Sequence, residues 1–276
     1  MNLSEKSGRN MPVAVATGIA LLALVLLPLI FSPWLFAIIV SAFAGFGTFE
    51  IANVLNKTRA AKLPAELLGA LAFAIAEIGF INNANFYVIF IVLIAVFLVT
   101  NIPRVKASRN GRLWYLGAIL VYVPGLLGFA NILVREPHGQ AAILLAIVLV
   151  AANDTGGLFA GMAFGKHKLA PSISPGKTWE GSGGSIILAS IVAILLLVNF
   201  SSLTWYWGII AAVVIVFAAT CGDLFESKIK RTLEVKDMSH MIPGHGGVMD
   251  RLDSILFAIP AIFILYTIVI HLELLH

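Results

Sequence analysis

Charged side chains are scarce in this sequence of 276 residues. Asp, Glu, Lys and Arg together make up 12% of it, whereas a typical soluble domain has about 25%. There is a single cysteine, Cys221, which excludes an intrachain disulfide and leaves only one thiol for a zinc site. No convincing internal repeat and no low-complexity segment are present. These shortages exclude an ordinary soluble domain, and hydrophobic residues instead make up 60% of the chain.

Long apolar runs account for most of the sequence. Nine of them lie at about 12–31, 33–53, 66–82, 84–101, 113–134, 139–160, 183–199, 203–222 and 252–272. Unalternating runs of this length match a bilayer core of about 30 Å, and they predict helices. The first run has no small-residue cleavage site before the second begins, so we expect it to be a retained helix. The sequence therefore predicts an all-α polytopic membrane protein with about nine transmembrane helices.

The basic residues predict the orientation of these helices. If the N-terminus is cytoplasmic, 17 of the 18 Lys and Arg residues fall in cytoplasmic segments, and only Arg135 lies outside. This asymmetry is the one that the positive-inside rule describes. It places the loops between helices 6 and 7 and between helices 8 and 9 in the cytoplasm.

The two halves of the chain differ in their polar patterning. Residues 1–138 are predicted as an N-terminal scaffold of five helices, with a possible lipid cleft or dimer contacts. Residues 139–276 carry nearly all of the glycine-rich and charged motifs, so we interpret them as the catalytic half.

Three carboxylates of the apolar runs need an explanation, because an ionisable group at membrane depth costs roughly 2.5–3.5 kcal/mol on insertion scales. Glu50 is near the cytoplasmic end of the second helix, and we expect it simply to reach the interface. Glu77 is either a structural partner or a wall of the site. Asp154, in AANDTGGLFAG, precedes two glycines that are expected to loosen the helix and open a polar cleft. The alternative is a helix–helix contact in which the glycines allow close packing.

The loop GKHKLAPSISPGKTWEGSGG, residues 165–184, is rich in donors for an anion. Ser174, Lys177 and Thr178 form a turn, and Glu180 precedes the glycines that open the seventh helix. Helix N-termini and successive backbone N–H groups bind phosphate. The Walker A spacing is absent. The alternative is a glycine-rich loop that only begins a helix.

Residues 223–253, here called the charged segment, hold 11 of the 32 charged residues. Asp223 is expected to end the eighth helix, and Asp250 and Asp253 to begin the ninth. If the eighth helix continues, Ser227 lies on the same face as Asp223, four residues later. A Pro-Gly-His-Gly-Gly turn between them lets Asp223 and Asp250 converge. Carboxylates surrounded by cations suit Mg²⁺ that is held jointly by protein and substrate phosphates. A loop that only orients the chain would not explain the six carboxylates of this segment.

The charged segment resembles the signature of phosphatidate cytidylyltransferases, also called CDP-diacylglycerol synthases. The stretch SKIKRTLEVKDMSHMIPGHGGVMDRLD carries the resemblance, and SPGKTWEG (174–181) and the Asp154-Thr-Gly segment also resemble that family. The specific likeness covers about residues 150–255. Glu234 departs from it, since glycine is commoner there, and so does Asn153, where a small residue is commoner.

The resemblance implies a reaction in which CTP and phosphatidate give CDP-diacylglycerol and pyrophosphate. It implies Mg²⁺ held by Asp223 and Asp250, with a monovalent cation (K⁺) beside it, and a homodimer in the lipid bilayer; nucleic acid is not an expected partner. The catalytic residues on this interpretation are Asp223, Asp250, Lys230, Arg231, Lys236 and Asp237. The substrate-binding residues are Ser174, Lys177, Thr178, Glu180, Ser227, His245, Gly246, Gly247, Arg251, Asp253 and Asp154.

Three alternatives remain open from the sequence. An ether-lipid cytidylyltransferase and a polyprenol kinase would also need Mg²⁺ and cytoplasmic basic loops. A cation-coupled transporter would use Glu77 and Asp154 on an ion path, but it predicts paired broken helices in both halves, and this chain has one candidate break. We expect the protein in a bacterial cytoplasmic (inner) membrane, with its active loops facing the cytoplasm.

Overall fold

The computed structural model of the protein describes residues 11–59, 61–100, 111–201, 203–239, 241–242 and 246–273. Within them the helices are α1 (Met11–Phe31), α2 (Pro33–Arg59), α3 (Ala65–Ile81), α4 (Asn83–Thr100), α5 (Gly111–Tyr122), α6 (Pro124–Leu133), α7 (Gly139–Phe164), α8 (Trp179–Phe200), α9 (Trp205–Thr232) and α10 (Met249–Glu273). Two short strands, β1 (Lys168–Ala170) and β2 (Ser174–Thr178), lie between α7 and α8. The prediction of a helical membrane protein is confirmed, and the strands are an addition to it. The turn predicted at Ser174, Lys177 and Thr178 was wrong, because these residues form β2, which pairs with β1.

Six of the described helical segments are long and apolar enough to cross a membrane. They are Pro33–Arg59, Trp114–Leu133, Gly139–Phe164, Trp179–Phe200, Trp205–Thr232 and Met249–Leu272. By contrast, α3 has 17 residues, which at 1.5 Å per residue is about 26 Å, shorter than a bilayer core. Nine spanning helices are therefore not confirmed.

The fifth predicted run is divided into two helices at Pro124. This residue is the first of α6, where a missing N–H costs least. The hydrogen bonding still continues across the junction, because Val123 N donates to Ile119 O at 2.9 Å and Leu127 N donates to Val123 O at 3.0 Å. The run 113–134 therefore forms two helices that are joined end to end.

The contacts divide the chain into two compact units. The first unit comprises Met1–Arg135 and Leu233–Leu252, and the second comprises Glu136–Thr232 and Asp253–His276. The loop between α9 and α10, residues 233–248, thus belongs with the N-terminal helices. We call it the α9–α10 loop.

A buried polar network lies in the first unit. Ser41 Oγ donates to Glu77 Oε2 at 2.8 Å. Asn131 Nδ2 in turn donates to Ser41 Oγ and to Ala76 O, each at 2.9 Å. Two roles were open to Glu77. The structure shows that it is a structural partner, because its hydrogen bond with Ser41 links α2 and α3.

Glycines bring α7 and α8 together in the second unit. A Cβ on Gly156 would lie 2.8 Å from Gly184 O, and one on Gly181 would lie 2.9 Å from Gly157 O. The helix α7 is continuous from Gly139 to Phe164. The expected loosening after Asp154 was therefore wrong: the two glycines that follow it serve close helix packing, which was the alternative.

Candidate active site

The β-hairpin places Lys177 immediately before a helix. The strands are antiparallel, with Lys168 opposite Thr178 and Ala170 opposite Ser174. Thr178 is the N-cap of α8, and its side chain accepts a hydrogen bond from Gly181 N at 3.1 Å. A β-region Thr in this position satisfies one of the donors at the helix start. Lys177 is therefore anchored on both sides, by the strand and by the capped helix.

Lys177 forms an ion pair with Asp223. The two charged groups are 2.5 Å apart and are about one quarter exposed. Ser227 Oγ also donates to Asp223 Oδ1 at 3.2 Å. Residues i and i+4 share a helix face, so the predicted Asp223–Ser227 relation is confirmed. The prediction that Asp223 ends its helix was wrong, because α9 continues to Thr232.

A second ion pair follows one turn later on α9. Lys230 Nζ lies 2.6 Å from Glu226 Oε2, and the Glu226 side chain is fully buried. Sequence reasoning missed Glu226, although an acid four residues before a base on a helix is a recognisable signal. The pairing gives Lys230 a defined direction on the helix.

Asp253 and Asp154 belong to the same unit as these pairs. Asp253 interacts electrostatically with Asp223, Lys230 and Asp154. Gly222 of α9 is so close to Asp253 O of α10 that a Cβ there would collide with it. The second unit thus gathers three carboxylates on α7, α9 and α10, together with Lys177 of β2 and Lys230 of α9.

Asp250, the other carboxylate predicted to hold the metal, lies in the first unit. Its side chain is buried, and it accepts hydrogen bonds from Gly247 N at 2.7 Å and from Met238 N at 3.2–3.3 Å. Ile242 N donates to Gly246 O at 2.8 Å and so closes the loop. Two backbone N–H groups of the α9–α10 loop, those of Met238 and Gly247, therefore hold the Asp250 carboxylate.

Glu50 of α2 binds the same loop from another part of the sequence. Only 2% of it is exposed, so the expectation that it simply reaches the interface was wrong. Its carboxylate accepts from Ser239 Oγ at 2.5 Å, Val248 N at 3.0 Å and Met249 N at 2.9 Å. Sequence reasoning missed this role, although an acid within an apolar run signals a specific partner.

The remaining predicted residues have different environments. Glu180 accepts from Lys166 N and His167 N at 3.2 Å, and its Oε1 lies 2.6 Å from His167 Nδ1. Ser174 and Asp237 are half-buried, whereas Arg231, Lys236 and Arg251 are exposed. His245 lies outside the described residues. Among those described, no group of three or more His, Cys, Asp or Glu side chains is arranged to hold a metal.

Comparison with known proteins covers nearly the whole chain. The model of the cytidylyltransferase family matches residues 12–269. A phosphatidate cytidylyltransferase of Mycobacterium leprae is 29% identical over 270 residues, which are 92% of this chain and 86% of that protein. One from Haemophilus influenzae is 40% identical over 180 residues, covering 60% of this chain and 62% of that protein. One from Staphylococcus saprophyticus is 40% identical over 141 residues, half of this chain and 54% of that protein.

Proposed function

Because the chain belongs to the cytidylyltransferase family, we propose that it transfers a cytidylyl group from CTP to phosphatidate. The products are CDP-diacylglycerol and pyrophosphate. Relatives that are 29–40% identical carry the name phosphatidate cytidylyltransferase, which supports this substrate pair. The apolar helices fit an enzyme with one lipid substrate.

One observation in the structure carries the proposal. Lys177 of the hairpin and Asp223 of α9 come from two separate polar motifs of the sequence, and they meet at 2.5 Å. A lysine that can hold phosphate and a carboxylate that can hold a metal are the parts that phosphoryl-type transfer needs in one place. The hairpin and α9 are therefore the centre of the proposed site.

The protein itself has little covalent chemistry to perform in this reaction. The phosphate of phosphatidate has a second pKa near 6, so at neutral pH it is mostly a dianion. One of its oxygens attacks the α-phosphorus of CTP and forms a new P–O bond. The bond from the α-phosphorus to the oxygen that bridges to the β-phosphate breaks, and pyrophosphate is released. No strong general base is needed. The protein must hold several anions together, neutralise them and stabilise the leaving group.

We propose Mg²⁺ as the metal of this reaction, with Asp223 and Asp250 as its protein ligands. Mg²⁺ is usually bound by one or two carboxylates together with substrate phosphates. Carboxylates that bind metals are themselves commonly held by hydrogen bonds, as Ser227 holds Asp223 and Gly247 N holds Asp250. When bound, the ion would act as a template and as a Lewis acid on the phosphate oxygens.

Two lysines of the second unit are positioned by acids before any phosphate arrives. Lys177 is paired with Asp223, and Lys230 with the buried Glu226. Lys177 can turn from Asp223 to a phosphate, which would free that carboxylate for the metal. Lys230 keeps its direction through Glu226 while its remaining N–H groups donate. Arg231, Lys236 and Arg251 are exposed, as groups that meet a soluble nucleotide should be.

The family resemblance supports further proposals about the setting of the enzyme. They are a K⁺ ion beside the Mg²⁺, a homodimeric assembly, and a bacterial cytoplasmic membrane as the location, with the hairpin and the α9–α10 loop facing the cytoplasm. The bacterial origin of the named relatives supports the location.

The first experiment uses CTP that is labelled at its α-phosphate and measures how much label enters the lipid phase. Purified protein in detergent micelles with phosphatidate is assayed with and without Mg²⁺, beside Asp223→Asn and Asp250→Asn. We expect transfer by the wild type to require Mg²⁺. In each of the two variants the rate of transfer should fall at least a hundredfold.

The other outcomes of this assay are equally informative. Transfer that survives both substitutions would overturn the metal assignment and leave the reaction standing. A folded wild type that moves no label to phosphatidate would overturn the reaction, and ether-lipid and polyprenol acceptors would be assayed next.

A further inference from the structure

The buried carboxylate of Glu50 contacts the loop that carries a catalytic candidate. Glu50 lies on α2, and the three hydrogen bonds that it accepts come from the α9–α10 loop and the first residue of α10. Its partner Met249 stands 199 residues later in the chain. The residue after Met249 is Asp250.

Two of these bonds satisfy donors that the helix itself cannot satisfy. The first N–H groups of an α-helix have no acceptor within the helix, and a buried helix end without partners is costly. Oε1 accepts from Val248 N and Oε2 from Met249 N, so one carboxylate serves both donors. The negative charge is also favourable at the positive end of the helix dipole. Glu50 thus fixes the backbone directly before Asp250.

Small residues make this close approach possible. A Cβ on Gly247 would lie 2.7 Å from Glu50 Oε2 and 2.9 Å from Ser239 Oγ. One turn before Glu50, a Cβ on Gly47 would lie 3.1 Å from Met249 Sδ. Both glycines therefore fit the contact between α2 and the start of α10, and the Gly247 of the sequence motif has a structural reason beside its predicted role in binding.

From this geometry we infer that Glu50 is a positioning residue, which holds the α9–α10 loop so that Asp250 is fixed for metal binding. The inference rests on the proposed function only in the role of Asp250. It also gives the N-terminal half of the chain a part in the active site. Glu50 itself touches no reacting atom in this arrangement.

The decisive variant is Glu50→Gln. The amide keeps the size of the side chain but replaces one acceptor oxygen with an NH₂ group, so at least one of the two backbone donors loses its acceptor. The matched control is Glu66→Gln, which removes the same charge from an exposed position in the first turn of α3.

The first readout needs neither metal nor substrate. Hydrogen exchange, followed by mass spectrometry in detergent without Mg²⁺, reports on peptides that cover residues 246–252. We expect these amides to exchange faster in Glu50→Gln than in the wild type, while peptides from α7 are unchanged. Glu66→Gln should match the wild type throughout. Unchanged exchange at 246–252 in Glu50→Gln would overturn the inference.

The second readout is the Mg²⁺ concentration that half-activates transfer. Loss of a residue that orients a metal ligand costs about 10–100-fold in affinity or activity, so we expect that concentration to rise at least tenfold in Glu50→Gln. Faster exchange with an unchanged Mg²⁺ curve would show a purely structural clamp and would overturn the positioning role. A wild type that is indifferent to Mg²⁺ would overturn the metal assignment as well, whereas the exchange result would still report on the clamp.

Ser239→Ala covers the case in which Glu50→Gln does not fold. It removes one of the three bonds to Glu50 and leaves the carboxylate in place. We expect a smaller shift of the Mg²⁺ curve in the same direction, and a curve equal to that of the wild type would count against the inference.

Discussion

Two residues of the α9–α10 loop have backbone conformations that favour glycine. Gly246 has a φ of +83°, and a Cβ there would lie 2.7 Å from Asp250 Oδ2. Glu234 has a φ of +58°, just after α9 ends at Thr232. Glycine is the residue that most often ends a helix in this conformation. This gives a physical reason for the glycine that the resemblance predicts at position 234, where this chain has Glu instead.

Gly246→Ala should impair both folding and transfer. The positive φ costs a residue with a Cβ roughly 1–2 kcal/mol, and the methyl group would push against the carboxylate proposed to hold Mg²⁺. We expect a lower Tm and at least a tenfold loss of label transfer in the micelle assay.

The control for this prediction is Gly183→Ala, since a Cβ on Gly183 meets nothing within 4 Å. It should keep the activity of the wild type. Equal transfer rates in Gly246→Ala and in this control would contradict the proposed geometry around Asp250.

At the scale of elements, two adjacent glycines of α8 differ in their surroundings, and one of them allows the close contact between α7 and α8. Gly184 faces α7, where a Cβ would collide with Ala160 and lie 3.0 Å from Gly156 O. Gly183, one residue earlier on the same helix, faces open space. Small residues at such positions let helix backbones approach each other in a membrane.

These two glycines form a matched pair for a stability test. Gly184→Ala should lower the free energy of unfolding by about 1–3 kcal/mol, because overpacking forces the helices apart. Gly183→Ala should leave it unchanged or raise it by up to about 1 kcal/mol, because alanine is the better helix former. Thermal unfolding in detergent measures both, and identical Tm values would refute the role of Gly184 in helix packing.

At the scale of the whole molecule, the number of membrane crossings depends on α1, α3 and α4. Six described segments have the length and apolarity to span, so nine crossings need all three of these helices to span as well. For α3 this can be tested directly. The two possibilities differ in where the ends of α3 lie. If α3 crosses, Glu66 and Asn82 are on opposite sides of the membrane; otherwise they share one side.

Cysteine labelling distinguishes these topologies. In a Cys221→Ser background, we expect an impermeant maleimide to label Asn82→Cys from outside and to label Glu66→Cys only after permeabilisation. Both positions are exposed. Glu136→Cys, in the predicted outer loop beside Arg135, provides the positive control. Equal labelling of Glu66→Cys and Asn82→Cys would show that α3 does not cross.

The sequence by itself determined the helical membrane class, the family and the relation of Asp223 to Ser227 in the proposed site. Apolar runs of this length have no other stable arrangement in lipid than helices, and the charged segment carried the resemblance. The relation between Asp223 and Ser227 was predictable because four residues on a helix always share a face. Such inferences depend on local geometry, which the sequence specifies directly.

Only the tertiary structure decided which distant residues meet. The pair Lys177–Asp223 and the bonds from the α9–α10 loop to Glu50 join segments that no local rule connects. The sequence likewise left two roles open for the glycines after Asp154, and the close fit of α7 against α8 selected one. Where α9 ends was equally a matter of tertiary contacts: the apolar run stops near residue 222, but the helix continues to Thr232 with Glu226 fully buried on it. The partner of a buried acid is decided only in the folded chain. Many donors along the sequence could satisfy the acid, and tertiary packing brings one set of them within hydrogen-bond distance.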